Sequence, residues 1–262
     1  MDNKLKIAIL GLGEAGSHFA NDLVNLGVEV VGFDPKPIRK LNDAITVKAS
    51  NAEAVQGADI IFSANLSSVS ENIANELVNS LKPNQFFCEM NTSGPEKKQK
   101  IASILKPTGV KMIDLAIMAP VPPKGIMTPL LASGEFASDF SEKVKPLNLD
   151  LSILENSKIG DAATRKLLRS IVYKGIAAVV CEAMEAGESF GMESYIRSQI
   201  SSLIGGNHDL IDRFVEGSRT HATRRMHEMD AVIEMLEAQG IEQIMTKGTR
   251  NNLEKLSLES SK

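Results

Sequence analysis

No apolar run in this chain of 262 residues approaches the roughly 20 that a helix needs to cross a bilayer. The opening Met1-Asp2-Asn3-Lys4 passes straight into a strand-like segment, without the pattern of a signal peptide. Cysteine is scarce. Cys88 and Cys181 stand far apart, so neither a disulfide scaffold nor a zinc spacing is expected, and a reducing, cytoplasmic setting is the default. The four histidines form no ligand-spaced pair with a carboxylate, so no metal is expected. Basic residues are scattered across a chain of net charge −4, which argues against nucleic acid as a partner. Proline vanishes after Gly160. What remains is ordinary globular composition, long enough for one large or two modest domains with a buried core.

Up to about residue 155, short apolar runs alternate with amphipathic stretches, the mark of βαβ units and a parallel sheet. The expected strands are Lys6–Leu10, Glu29–Phe33, Asp59–Ala64, Gln85–Glu89, Lys111–Ile117, Leu130–Ser133 and Leu149–Leu154. Helices are expected at Ala15–Leu26, Pro37–Asp43, Ser70–Leu81 and Pro95–Leu105. After Gly160 the texture becomes purely helical. One long helix from Asp161 to Ser189 precedes Glu193–Ile204, Asp209–Val215, Thr220–Gln239 and Glu242–Leu256. The expected architecture is an α/β Rossmann dinucleotide-binding domain over residues 1–158, then an all-α domain over 159–262 for substrate and dimerisation.

Gly11, Gly13 and Gly16 spell G-x-G-x-x-G directly after a strand and at the opening of a helix. Gly11 permits the tight turn, Gly13 lets a pyrophosphate approach the backbone, and Gly16 lets the helix pack on the sheet. The turn residues Leu12, Glu14 and Ala15 complete the cradle, with helix N–H groups and dipole favouring phosphate. Asp34 ends the next strand, where a carboxylate accepts bonds from the adenine ribose hydroxyls. It disfavours a 2′-phosphate, so NAD is expected, with NADP the alternative if Lys36 and Arg39 receive that phosphate. The plain alternative is a structural turn with a solvated Asp34. Asn65 follows the Asp59–Ala64 strand at the carboxyl edge, where ligands bind in open α/β sheets, or else serves a simple turn.

With these features the chain resembles the beta-hydroxyacid dehydrogenase superfamily, which includes 6-phosphogluconate and 3-hydroxyisobutyrate dehydrogenases. Its helical half is similar to a small uncharacterised branch. The resemblance places Met90-Asn91-Thr92-Ser93 as the loop beside the nicotinamide, with Asn91 on cofactor and Thr92 and Ser93 on substrate. It makes Asp114–Val121 the segment leading to the substrate loop. The family pattern G-x-G-x-x-x-K-x-x-x-N is matched here at Gly160 and Lys166, while Ala162 replaces the second glycine and Ser170 the Asn. Lys166 is thereby the implied general acid/base. Many members carry Ser-Gly-Gly in the substrate loop; this chain has Pro120-Val121-Pro122-Pro123-Lys124-Gly125. Prolines donate no N–H, so a substrate carboxylate would fall to Lys124, Gly125 or an arginine of the helical domain.

On a helix Lys166, Ser170 and Lys174 step about 40° apart, so all three line one side. Ile171–Val180 is nearly all apolar around Tyr173 and Lys174, which suggests a helix buried along much of its girth. A desolvated ammonium loses pKa and becomes useful for proton transfer. The alternatives are a snorkelling or ion-paired lysine and a packing serine. Arg219, His221, Arg224, Arg225 and His227 crowd one later helix, either as an ion-paired face or as holders of an anionic substrate group. The leading expectation is a hydroxy-acid dehydrogenase or keto-acid reductase that pairs as a homodimer and takes a small-molecule substrate. An imine or ketone reductase and a non-catalytic NAD(H) sensor are the alternatives.

Overall fold

The computed structural model describes residues 4–36 and 40–259. The chain divides into two compact units, Met1–Thr164 and Arg165–Lys262. The first is built on β1 (Lys6–Leu10), β2 (Glu29–Phe33), β3 (Thr46–Val47), β4 (Ile60–Ser63), β5 (Phe86–Glu89), β6 (Lys111–Ile117), β7 (Leu130–Ser133) and β8 (Leu151–Ile153). They form one sheet in the order β3-β2-β1-β4-β5-β6-β7-β8. Every pairing is parallel except that of β6 with β7.

Both faces of this sheet are covered, which is why its central strands are apolar throughout rather than alternating. Ile7 and Ile9 of β1 pack with Phe19 and Leu23, whereas Ala8 and Leu10 join Ile61, Phe87 and Ile101 on the other side. The covering helices are α1 (Glu14–Asn25), α2 (Asn51–Ala54), α3 (Ser70–Leu77), α4 (Pro95–Leu105) and α5 (Ala137–Val144).

β3, α2 and α5 are among the short elements that went unforeseen. β3 has two residues and α2 four, too few to show a period, although Ser50 Oγ caps α2 by accepting from Glu53 N at 3.1 Å. α5 buries Ala137, Phe140 and Val144 at helical spacing, a pattern hidden among its polar residues. The helix expected over Pro37–Asp43 is corrected. Residues 37–39 lie outside the described residues, and 40–43 are not helical. There Asn21 of α1 draws the backbone aside, accepting from Asn42 N at 2.8 Å and donating to Lys40 O.

α6 (Asp161–Ser189) starts in the first unit and runs through the second. It is followed by α7 (Glu193–Leu203), α8 (His208–Thr220), α9 (Ala222–Glu237) and α10 (Ile244–Glu259). One core joins Leu167 to Met229, Val232, Leu236 and Leu253; another joins Ala177, Val180 and Met184 to Ile211 and Phe214. The expectation of a largely buried α6 needs correction, because Leu168, Val172, Ile176 and Val179 are exposed along it. α8 also outruns its expected end at Val215 and continues through Gly217. The expected α/β-then-helical architecture is otherwise what the chain forms.

Candidate active site

The glycine turn lies where the strand order reverses, between β1 and β4, the position at which open α/β sheets bind ligands. Gly11 has φ +98°, and a Cβ on it would sit 2.6 Å from Ala64 O and 2.9 Å from Asn65 Cα. A Cβ on Gly16 would lie 1.9 Å from Gly11 O. Both positions therefore exclude any side chain, and the first turn of α1 lies close against the loop. Gly13 occupies the N-cap without a capping side chain, so no side chain competes with a ligand for the first N–H groups. Glu14 and Ala15 follow at the helix start.

Asp34 is already committed to this loop. Its Oδ2 accepts from Leu12 N at 2.7 Å and its Oδ1 from Lys36 N at 2.7 Å. Each carboxylate oxygen keeps lone pairs for a ribose hydroxyl. Lys36 is exposed, and Arg39 falls outside the described residues.

Asn65 and Asn91 meet at the same edge. Asn91 Nδ2 donates to Asn65 Oδ1 at 3.0 Å and to Glu89 Oε1, while Asn65 Nδ2 donates to Ser63 Oγ at 2.9 Å. That leaves Asn91 Oδ1 and Ser93 Oγ buried with no hydrogen-bond partner. Orphaned polar atoms of this kind call for a partner, and a bound ligand can supply it. Thr92 between them is half-buried.

Behind this loop stands a buried ionic cluster that the sequence reading missed. Lys98 of α4 is 1% exposed and pairs with Glu89 Oε2 and, at 3.3 Å, with Asp114 Oδ1. Its Nζ also donates to Glu89 O at 2.9 Å. Asp114 Oδ2 accepts from Gly160 N at 3.1 Å, Ala163 N at 3.0 Å and Ser133 Oγ at 3.2 Å. A strand carboxylate thus caps the first turn of α6, the helix that carries Lys166. Burial pushes the Glu89 carboxyl up. Burial opposes the Lys98 charge as well, but Glu89 and Asp114 outweigh it and hold the ammonium above its ordinary value. The signal was available: Lys98, Ile101 and Leu105 share the buried face of α4 at helical spacing.

The substrate-loop positions are placed differently. Gly125, at φ +54°, donates its N–H to Val121 O at 2.7 Å, and Lys124 N shares that acceptor at 3.0 Å. Asp22 of α1 accepts from Ile126 N at 2.9 Å and stands where a Gly125 Cβ would go. The backbone donors of Lys124 and Gly125 are spent on the loop itself. The Lys124 side chain itself is exposed.

In the second unit, Ser170 and Lys174 are buried and Lys166 is half-buried. Lys174 Nζ lies 2.5 Å from Glu228 Oε2 and donates to Ser170 Oγ at 3.1 Å. Arg224 Nη1 takes the other carboxylate oxygen at 2.8 Å. Burial pulls Lys174 down in pKa despite Glu228. Burial also acts on Glu228, but Lys174, Lys166 and Arg224 outweigh it and keep that carboxylate ionised. Lys174 is therefore bound into an ion pair. Because its ammonium donates to Ser170 Oγ, the serine hydrogen is free to point elsewhere.

Residues 6–121 match the NAD binding domain of 6-phosphogluconate dehydrogenase, and residues 188–256 match a domain of unknown function, DUF1932. An uncharacterised 28.5 kDa protein of Methanothermus fervidus is 25% identical over 253 residues, 94% of this chain and 97% of that protein. The fold is shared with the 3-hydroxyisobutyrate dehydrogenase of Mycobacterium tuberculosis, solved with L-serine. That likeness has a TM-score of 0.79 at 17% identity and covers 98% of this chain and 95% of that one. An imine reductase from Myxococcus stipitatus (V8 variant), in complex with NAD+, has a TM-score of 0.63 at 17% identity over 96% and 93%.

Proposed function

We propose that this chain, whose first unit carries the 6-phosphogluconate-dehydrogenase type of NAD binding domain, is a dehydrogenase or reductase of small hydroxy or keto acids. The observation that supports it most is the side-chain-free turn at Gly11 and Gly16, joined by Leu12 N to the Asp34 carboxylate. Nothing larger than hydrogen fits there, and an anionic diphosphate suits the uncapped start of α1. When bound, the nicotinamide accepts or supplies the hydride. Lys166 handles the proton: neutral, it takes the hydroxyl proton during oxidation; as an ammonium, it returns that proton to the carbonyl oxygen during reduction. Ser170 directs its hydroxyl hydrogen to a substrate oxygen. NADH oxidation with a panel of keto acids tests the reading; turnover with none of them, under conditions where NADH binds, overturns it.

Asp34 selects NAD, because both its oxygens are anchored by backbone donors and its charge repels a 2′-phosphate. Asp34→Ser should reduce the preference for NADH over NADPH by about tenfold or more, measured as a ratio of Kd values. An unchanged ratio would show that the carboxylate plays no part.

An imine or ketone reductase is the second reading. Its support is the loop at Pro120–Gly125, where Val121 O consumes the amides of Lys124 and Gly125 and no backbone nest is offered to a carboxylate. Turnover of cyclic imines, with keto acids ignored, would favour it.

The same proposal makes the chain a homodimer through its helical unit. Leu168, Val172, Ile176 and Val179 lie at i, i+4, i+8 and i+11 along α6, each between 45% and 62% exposed. Two copies of such a stripe are self-complementary about a twofold axis. Sedimentation should show a dimer at micromolar concentration and a monomer for Val172→Asp. A wild-type monomer contradicts this part.

A further inference from the structure

We infer that Arg225 of α9 is an anion receptor, whose guanidinium takes a carboxylate or phosphate group of a small ligand. Buried charges in proteins are paired, and this one is not. Arg225 is 9% exposed, yet among the described residues no carboxylate lies within ion-pair distance of it. The nearby carboxylate, Glu228, is taken by Lys174 on one oxygen and by Arg224 on the other. Four cations, Lys166, Lys174, Arg224 and Arg225, thus act near a single buried carboxylate. The local excess is positive.

The guanidinium is held for recognition rather than left to wander. Nη1 donates to Ser218 Oγ at 2.9 Å, and Cζ lies 5.7 Å from the centroid of the Tyr173 ring. Tyr173 is fixed in turn by an edge contact with Phe214 at 5.2 Å. On α8, a Cβ at Gly217 would stand 2.7 Å from Arg225 Nη2. A glycine inside a helix costs about 1 kcal/mol relative to alanine, and here it leaves the room that Nη2 occupies. Among the described residues, only one hydrogen bond uses the five N–H donors of Arg225. None of its nitrogens is sealed from solvent without a partner, so the unbonded edge is open to a ligand. Burial pulls the Arg225 pKa down, the direction expected of a desolvated cation that lacks its counter-ion.

An open guanidinium edge fits the two oxygens of a carboxylate or phosphate bidentately. Resting on the dehydrogenase reading, the anion belongs to the substrate and is recognised by the helical unit rather than by the loop at Lys124 and Gly125. The test does not need turnover. Malonate and inorganic phosphate are titrated by calorimetry into the full chain at constant ionic strength set by chloride, with NADH titrated separately.

At least one probe should bind saturably, malonate more tightly for a carboxylate substrate and phosphate more tightly for a phosphorylated one. Arg225→Met should weaken that probe about tenfold or more, Arg225→Lys less so, with NADH affinity unchanged in both. Should Arg225→Met fail to fold, Gly217→Ala serves instead: it adds helix propensity while its Cβ displaces Nη2, so it should lose anion affinity without losing stability. Saturable binding of neither probe, or wild-type affinity in the variants, overturns the assignment. Anion binding without NADH binding would sink the dehydrogenase reading alone and leave the receptor standing.

Discussion

Lys166→Met is expected to lower kcat by about 10²–10⁴-fold, the usual contribution of a positioned acid or base, while NADH affinity stays within about twofold. The choice of Lys166 rests on the family pattern that Gly160 and Lys166 match, and Lys174 has a different task. Lys174 is bound to Glu228 at 2.5 Å and to Ser170 at 3.1 Å, so its ammonium sustains an ion pair and orients a hydroxyl. Lys166 stands two turns earlier on the same helix, one turn from Ser170, and its charge helps to keep Glu228 ionised. Lys174→Met should behave differently, since it leaves Glu228 buried beside fewer cations. Its principal effect should be on stability, with KM rising in the folded fraction because the Ser170 hydroxyl loses the donor that orients it, while kcat stays within about tenfold. Parallel loss of kcat in a fully folded Lys174→Met, with Lys166→Met active, would reverse the assignment.

Lys98→Met is expected to destabilise the first unit by about 3–5 kcal/mol, because it strips the ammonium from two carboxylates that are each 0% exposed. The loss should depend on pH. Burial holds the Glu89 carboxyl above its ordinary value, so over the window above that value the folded chain binds more protons than the unfolded chain. Stability carried by such a group is present at low pH and lost as the pH rises. Removing Lys98 removes the charge that restrains this shift, so the window widens. Chemical denaturation of Lys98→Met should therefore show its largest deficit near about pH 8 and a smaller one near about pH 5. A deficit independent of pH would mean that Glu89 carries no titrating role. Because Asp114 caps Gly160 and Ala163, the same variant should also loosen the start of α6.

The sequence was most legible where one residue type carries a backbone demand. Gly11 and Gly16 announce a turn that admits no side chain, and the strand and helix flanking them follow from period alone. Asp34 was readable as a terminal acid, but its bonds to Leu12 N and Lys36 N were not, since they depend on how the loop folds back on β2. The Lys98 cluster gathers residues from β5, α4 and β6, and no local pattern joins them. The helix expected to end at Val215 runs on to Thr220 through Gly217. Glycine usually marks the end of a helix, yet here α8 continues and the missing Cβ makes space for Arg225. Val172, Ile176 and Val179 lie in the apolar run that read as buried, but period alone does not say which face finds a partner within one chain.

Every catalytic role proposed for this chain depends on dinucleotide binding at the Gly11 turn. Titrating the full chain with NADH, followed by the cofactor's own fluorescence in a protein that has no tryptophan, measures it directly. A saturable complex with one site per chain is expected, abolished by Gly11→Val, whose side chain has only Ala64 O and Asn65 Cα to occupy. No complex with NADH or NADPH, or full affinity in Gly11→Val, would contradict it.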